Sequence, residues 1–243
     1  MHSHQGSSWP AIIVVGAVVV TVVGFVILPG LLATGRHGST ERTSSTSLKT
    51  LASAEADFRA NDRDWNHVND FWTGNVSGLY TMTSAAVKGA EANNTTDPSI
   101  KLIELSVASA DADDAFLPAG GENLPLSTFA VPSAKAGYWF AALTADLTVG
   151  KGAEGLYKQD TKGTPPMGRV HHEARFGFVA IPDSLSAGKY VFMVNENNTI
   201  FRSAVSAPVK GSKANPPGLA GMSPSYLNWP DEAGLKAYWN KLD

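Results

Sequence analysis

The chain has 243 residues, with 19 lysines and arginines against 22 aspartates and glutamates, for a net charge of −3. That balance, with no Lys/Arg cluster and no alternation of aromatic and basic residues, excludes a nucleic-acid binder. The absence of cysteine excludes disulfides, thiolate metal sites, cysteine nucleophiles and a lipoprotein anchor.

An apolar run extends from Ala11 to Leu28, interrupted only by Thr21 and followed by Pro29-Gly30, and no Lys, Arg, Asp or Glu precedes Arg36. At 1.5 Å per residue, the segment from Trp9 to Ala33 is long enough to cross a hydrocarbon core of roughly 30 Å as a helix. Its β-branched content would weaken a helix in water, whereas in lipid the backbone must satisfy its own hydrogen bonds. A membrane-spanning helix is therefore expected within residues 1–35, with Ile12, Val15, Val19, Val23, Ile27 and Pro29 as its membrane and assembly residues. A cleaved signal peptide is the competing reading. Met1 to Pro10 lacks the basic residues of such a leader, although Leu32-Ala33-Thr34-Gly35 offers small residues for a cleavage site. Orientation stays open, because Arg36 and Arg42 after the run favour a cytoplasmic domain, while the polar, Asn/Gly/Ser-rich domain favours the outside.

Residues Thr34 to Ser47 are rich in Gly, Ser, Thr and Arg and read as a connector. Leu48, Leu51, Glu55 and Phe58 then recur at three- and four-residue steps, predicting an amphipathic helix capped by Ser45 or Ser47 and ending near Ala60. A polar, turn-rich stretch from Asn61 to Gly78 precedes a short helix expected over Leu79–Ala92. Strands are predicted at Tyr138–Leu143, Arg175–Ile181, Tyr190–Val194 and Thr199–Val205, the last two joined by a hairpin turn at Asn195-Glu-Asn-Asn198. Long loops are expected at Asp111–Ala136 and Thr144–His172, and irregular chain at Val209–Pro224. Pro230-Asp231 signals a final helix with Leu235, Tyr238, Trp239 and Leu242 on one face. The fold class is thus α+β: a membrane-spanning helix continuing into an amphipathic helix, a small antiparallel sheet of about four strands with long loops, and a C-terminal helix. The organisation is 1–35 transmembrane, 36–60 connector and amphipathic helix, and 61–243 globular domain.

That order resembles type IV pilin-like proteins and the pseudopilins of type II secretion. The residues carrying the resemblance are Ile27-Leu-Pro-Gly-Leu-Leu-Ala33 and Leu48 to Phe58. A narrower resemblance, to a pilin-like family of planctomycete-type bacteria, rests on Ala54 to Asp64, Asn69 to Gly74, and Val194 to Thr199 with Phe201-Arg202. It implies a structural subunit or scaffold of a bacterial cell envelope, single-pass, with its domain extracytoplasmic. Its partners would be the lipid bilayer, copies of itself or other envelope proteins. Two departures bear on that. Gly6-Ser-Ser-Trp-Pro10 stands where a processing site belongs, and the residues from Ala11 to Ile13, where pilins carry a glutamate, are all apolar.

The strongest site candidate is Asp62-Arg-Asp64-Trp-Asn66-His-Val-Asn-Asp70. Oxygen side chains at Asp62, Asp64, Asn66 and Asp70 resemble the start of a calcium loop, since a hard cation needs several oxygens converging from one turn. His67 stands where that loop needs glycine, and Thr73 where it needs a bidentate glutamate. The competing reading is a turn held by Asx-type hydrogen bonds. His171-His172-Glu173 lacks metal-site spacing and reads as a polar loop. Ser184, His172 and Asp183 are the types of a triad without a nucleophile elbow. Trp65, Trp72, Trp139, Trp229 and Trp239 read as core or interface anchors. No enzyme is expected. The alternative to a structural subunit is an anchored, calcium-dependent binding module acting through the long loops.

Overall fold

The computed structural model describes residues 28–64, 66–82, 100–112, 126–150, 153–159, 171–205 and 227–242. Chain contacts divide the protein into a unit Met1–Ser39 and a compact unit Thr40–Asp243, and the second holds every strand among the described residues and both sites described below.

Helix α1 spans Leu28–Asn61. One expectation is corrected by it. Residues 34–47 are helical, so the expected connector is absent. Two of the hydroxyls that suggested it return to the helix backbone, Ser44 to Thr40 O and Ser45 to Arg42 O.

Neither the membrane-spanning part of the expected fold nor the single-pass localisation is supported. No helix among the described residues is long and apolar enough to cross a membrane. At about 51 Å, α1 has the length, but Arg36, Glu41, Arg42, Lys49, Glu55, Asp57 and Arg59 lie along it. Ile12, Val15, Val19, Val23 and Ile27 fall outside the described residues.

From Ser44 onward α1 buries one stripe: Ser44, Ser47, Leu48, Leu51, Ala52, Glu55 and Phe58. These are the helical steps read from the sequence, and one of them is an acid. Strand β1 (Phe71–Trp72) follows, then the single-turn helices α2 (Gly78–Thr81) and α3 (Leu105–Ala108). Only the first turn of the expected 79–92 helix is described; residues 83–99 lie outside. Strands β2 (Tyr138–Ala142), β3 (Ala145–Asp146), β4 (His171–His172), β5 (Gly177–Pro182), β6 (Tyr190–Asn195), β7 (Ile200–Ala204) and β8 (Asn228–Trp229) come next. Helix α4 (Glu232–Tyr238) and strand β9 (Asn240–Lys241) close the described chain.

The main sheet has the order β2-β5-β6-β7-β9, antiparallel throughout. Two ribbons flank it, β1 antiparallel to β4 and β3 parallel to β8. All four predicted strands are present within two residues of their expected ends. The β6–β7 turn closes where four Asn/Glu residues were read as a hairpin, with Asn198 at φ 53° and its N–H bonded to Asn195 O.

Strand alternation builds two cores. Tyr138, Phe140, Ala142, Phe178, Ala180, Phe192 and Val194 face the apolar stripe of α1. Trp139, Ala141, Val179, Ile181, Val191 and Met193 face the other way, against Tyr157 and Trp229. Burial on both faces explains why these strands read as continuous apolar runs. Thr40 Oγ1 donates to Ala187 O, and Lys189 N donates to the Glu41 carboxylate, placing the helix on the sheet.

The last helix is shorter than predicted. Tyr238 is 72% exposed and Leu242 41%, so neither joins the apolar face expected of them. The chain turns out of the helix at Trp239 so that Asn240 and Lys241 can pair with Arg202 and Phe201. The predicted cap holds: Gly234 N donates to Asp231 Oδ1 at 2.7 Å. Asp231→Ala is expected to cost about 1 kcal/mol, read as a shift in urea midpoint at unchanged slope.

Candidate metal centre

α1 ends on the acidic stretch singled out in the sequence. Arg63 N reaches back to Phe58 O, Asp62 takes a left-handed backbone (φ 43°), and the Arg63 guanidinium pairs with Asp57 at 2.7 Å. The next turn is held by side-chain oxygens accepting from the backbone. Asp62 Oδ2 accepts from His67 N at 3.1 Å, and Asn66 Oδ1 accepts from Val68 N at 2.7 Å. The second is the Asx-type bond of the competing reading, and the first spans five residues.

The other two predicted ligands do something different. Asp64 is 7% exposed and Asp70 fully buried, and between them stands the imidazole of His171, also fully buried. His171 Nδ1 lies 3.3 Å from Asp70 Oδ1, and Nε2 lies 3.8 Å from Asp64 Oδ2. One ligand atom from each of the three falls within 4.8 Å of the others. Asn66 Nδ2 donates to the second oxygen of Asp70 at 3.3 Å, so Asn66 positions that carboxylate.

A strand pairing brings His171 here. β4 registers on β1 with Trp72 opposite His171 and Phe71 opposite His172, so His171–His172 is a buried strand and not the polar loop expected. Adjacent strand residues face opposite ways. His171 turns to the carboxylates, with Trp72 edge-on to its ring at 5.2 Å. The Nδ1 of His172 instead accepts from Ala174 N and Arg175 N. Burial and the Arg175 charge hold His172 below its ordinary pKa.

Glu55, from the buried stripe of α1, is a site residue that the sequence reading assigned only to packing. Its Oε2 accepts from Trp72 N at 3.0 Å, while its Oε1 is buried with no hydrogen-bond partner among the described residues. Trp72 stands opposite His171 in the β1–β4 pairing, which places the Glu55 carboxylate beside the cluster. Asp64 Oδ1 is likewise buried and without a hydrogen-bond partner among the described residues. Burial is the main reason that Asp64 is pushed up to about 7, with the charges of Asp70 and Asp62 adding to it and His171 opposing. Burial also raises Glu55 well above the carboxylate range, against the Trp72 N–H bond. Burying these oxygens is costly unless a positive charge satisfies them.

This donor set is not the calcium loop expected. Two of the four predicted oxygens are used by the turn itself, and nitrogen enters from a strand 101 residues beyond Asp70. Calcium takes six to eight oxygens, whereas two carboxylates and an imidazole suit zinc or manganese. The triad types stay apart in use: Asp183 accepts from Trp139 Nε1 at 3.0 Å, and Ser184 Oγ bonds Ser186 Oγ at 2.8 Å. Trp72, Trp139 and Trp229 are buried anchors.

The chain matches no family model, no curated protein and no solved structure. The resemblance to pilin-like proteins therefore rests on the quoted residues alone.

Proposed function

We propose that the chain is a non-catalytic structural subunit or scaffold whose compact unit is braced by one divalent cation. Asp64, Asp70 and His171 are its ligands, and Glu55 borders the site. The carrying observation is the convergence of these buried groups from the turn after α1, the residue before β1, and β4. A cation there joins the end of the helix to the β1–β4 ribbon, a cross-link that hydrogen bonds within the turn do not supply. The succession of one long helix and an antiparallel meander, β5-β6-β7, supports the structural-subunit reading.

Elemental analysis of full-length protein, stripped with chelator and reloaded separately with Zn²⁺, Mn²⁺ and Ca²⁺, tests the brace. One equivalent of zinc or manganese is expected to be retained, with little calcium. Asp70→Asn and His171→Gln are each expected to lower the affinity at least tenfold, in the range that loss of a ligand-shell group produces. Retention of none of the three ions, or unchanged retention in both variants, would remove the metal centre. Concentration-dependent assembly followed by light scattering and electron microscopy tests the subunit role, which a persistently monomeric full-length chain would refute.

A further inference from the structure

On the face of the sheet away from α1 lies a cavity of about 600 Å³, within the usual range for small-molecule sites. Three strands, a turn and a helix frame it. β3 and β8 pair in parallel with Asp146 opposite Trp229, the β6–β7 turn brings Glu196, and β9 places Lys241 opposite Phe201. Helix α4 contributes Glu232 and Leu235 to the rim.

The lining interleaves charges of both signs. Asp146 is buried, with Oδ1 accepting from Thr148 N at 2.9 Å and from its hydroxyl at 2.6 Å, while Oδ2 lies 3.5 Å from Arg175 Nη1. Glu196 has a buried Oε2 with no hydrogen-bond partner among the described residues. Its pKa is raised chiefly by burial, with the Asp146 charge adding to the effect. Lys241 and Glu232 add one further charge of each sign, and Asn197 and Thr199 add neutral polar groups. The apolar wall is Phe201, packed edge-on against the Trp229 ring at 5.4 Å, with Leu235 beside them.

This pattern selects against a net charge. An anion would meet Asp146 and Glu196, and a cation would meet Arg175 and Lys241. A neutral ligand rich in hydroxyls meets a donor or an acceptor at each of these groups, and its C–H faces rest on the Phe201–Trp229–Leu235 wall. We infer that the cavity is a binding site for a neutral carbohydrate of mono- or disaccharide size, with Glu196 accepting from a sugar hydroxyl and Arg175 and Lys241 donating to others. The inference stands apart from the metal centre, with which it shares no residue.

Calorimetry and tryptophan fluorescence with maltose, cellobiose and diacetylchitobiose, on the full-length chain at millimolar sugar, test it. At least one sugar is expected to bind. Glu196→Ala should weaken that binding tenfold or more, as Lys241→Gln should to a smaller degree, with the thermal midpoint near that of the parent protein. Asp70→Asn should leave sugar affinity within twofold. Silence with all three sugars, unchanged affinity in Glu196→Ala, or a stronger response to spermidine or citrate than to any sugar would each overturn the inference.

Discussion

Zinc added to chelator-stripped protein at a hundredfold excess over its dissociation constant is expected to raise the thermal midpoint by about 5–10 °C. Binding to the folded state alone contributes about 2.7 kcal/mol at that excess, and a chain of this size gains roughly 2–4 °C per kcal/mol. The effect has a pH signature. Without metal, burial holds the Asp64 proton to about 7 instead of the ordinary 3.8, and Glu55 is raised in the same direction. The folded state thus binds protons that the unfolded chain releases. For Asp64 that contribution is fully present below about pH 4 and is lost as the pH rises through about 7. The stripped protein is expected to lose midpoint across this window. Zinc binds the deprotonated carboxylates, so the gain from zinc should grow over the same interval. Differential scanning fluorimetry at about pH 4.5, 6 and 7.5, with and without zinc, measures both. A zinc gain independent of pH would place the ion elsewhere.

Trp72→Ala is expected to destabilise the fold by about 3–5 kcal/mol, the cost of emptying a large aromatic site. Trp72 is fully buried, and its Nε1 donates to Asn75 O at 2.8 Å. The loop after β1 lies against its indole: a Cβ on either Gly74 or Gly78 would collide with the ring. Gly78→Ala should therefore also destabilise, by about 1–3 kcal/mol, as overpacking does. The indole lies edge-on to the His171 ring, so Trp72→Ala should weaken zinc retention as well as stability. Urea unfolding gives the first effect and metal titration under folded conditions the second. A loss below about 1 kcal/mol would show that the ring is not the keystone of this corner.

Much of the scaffold was legible because its signals are local. The stripe of Leu48, Leu51, Glu55 and Phe58 marked the buried face of α1, and aromatic runs bounded by Gly, Pro and Asp marked β2, β5, β6 and β7. The Asn-rich turn and the Asp231 cap were chemically specified by residues within four positions of one another. Errors arose where two readings shared a composition. Ser/Thr-rich residues 34–47 look like a linker, yet their hydroxyls can bond back to the helix.

The site was half legible. By itself the sequence determined the acidic turn and the presence of an acid in the buried stripe of α1. Only the tertiary structure decided which of these acids meet. A β-strand pairing spans any number of residues, and the register of β4 on β1 turns His171, rather than His172, to Asp64 and Asp70. Shifting that register by one residue would exchange the two imidazoles. Side-chain chemistry is written locally, but the convergence of ligands depends on long-range packing that no spacing between neighbouring residues records.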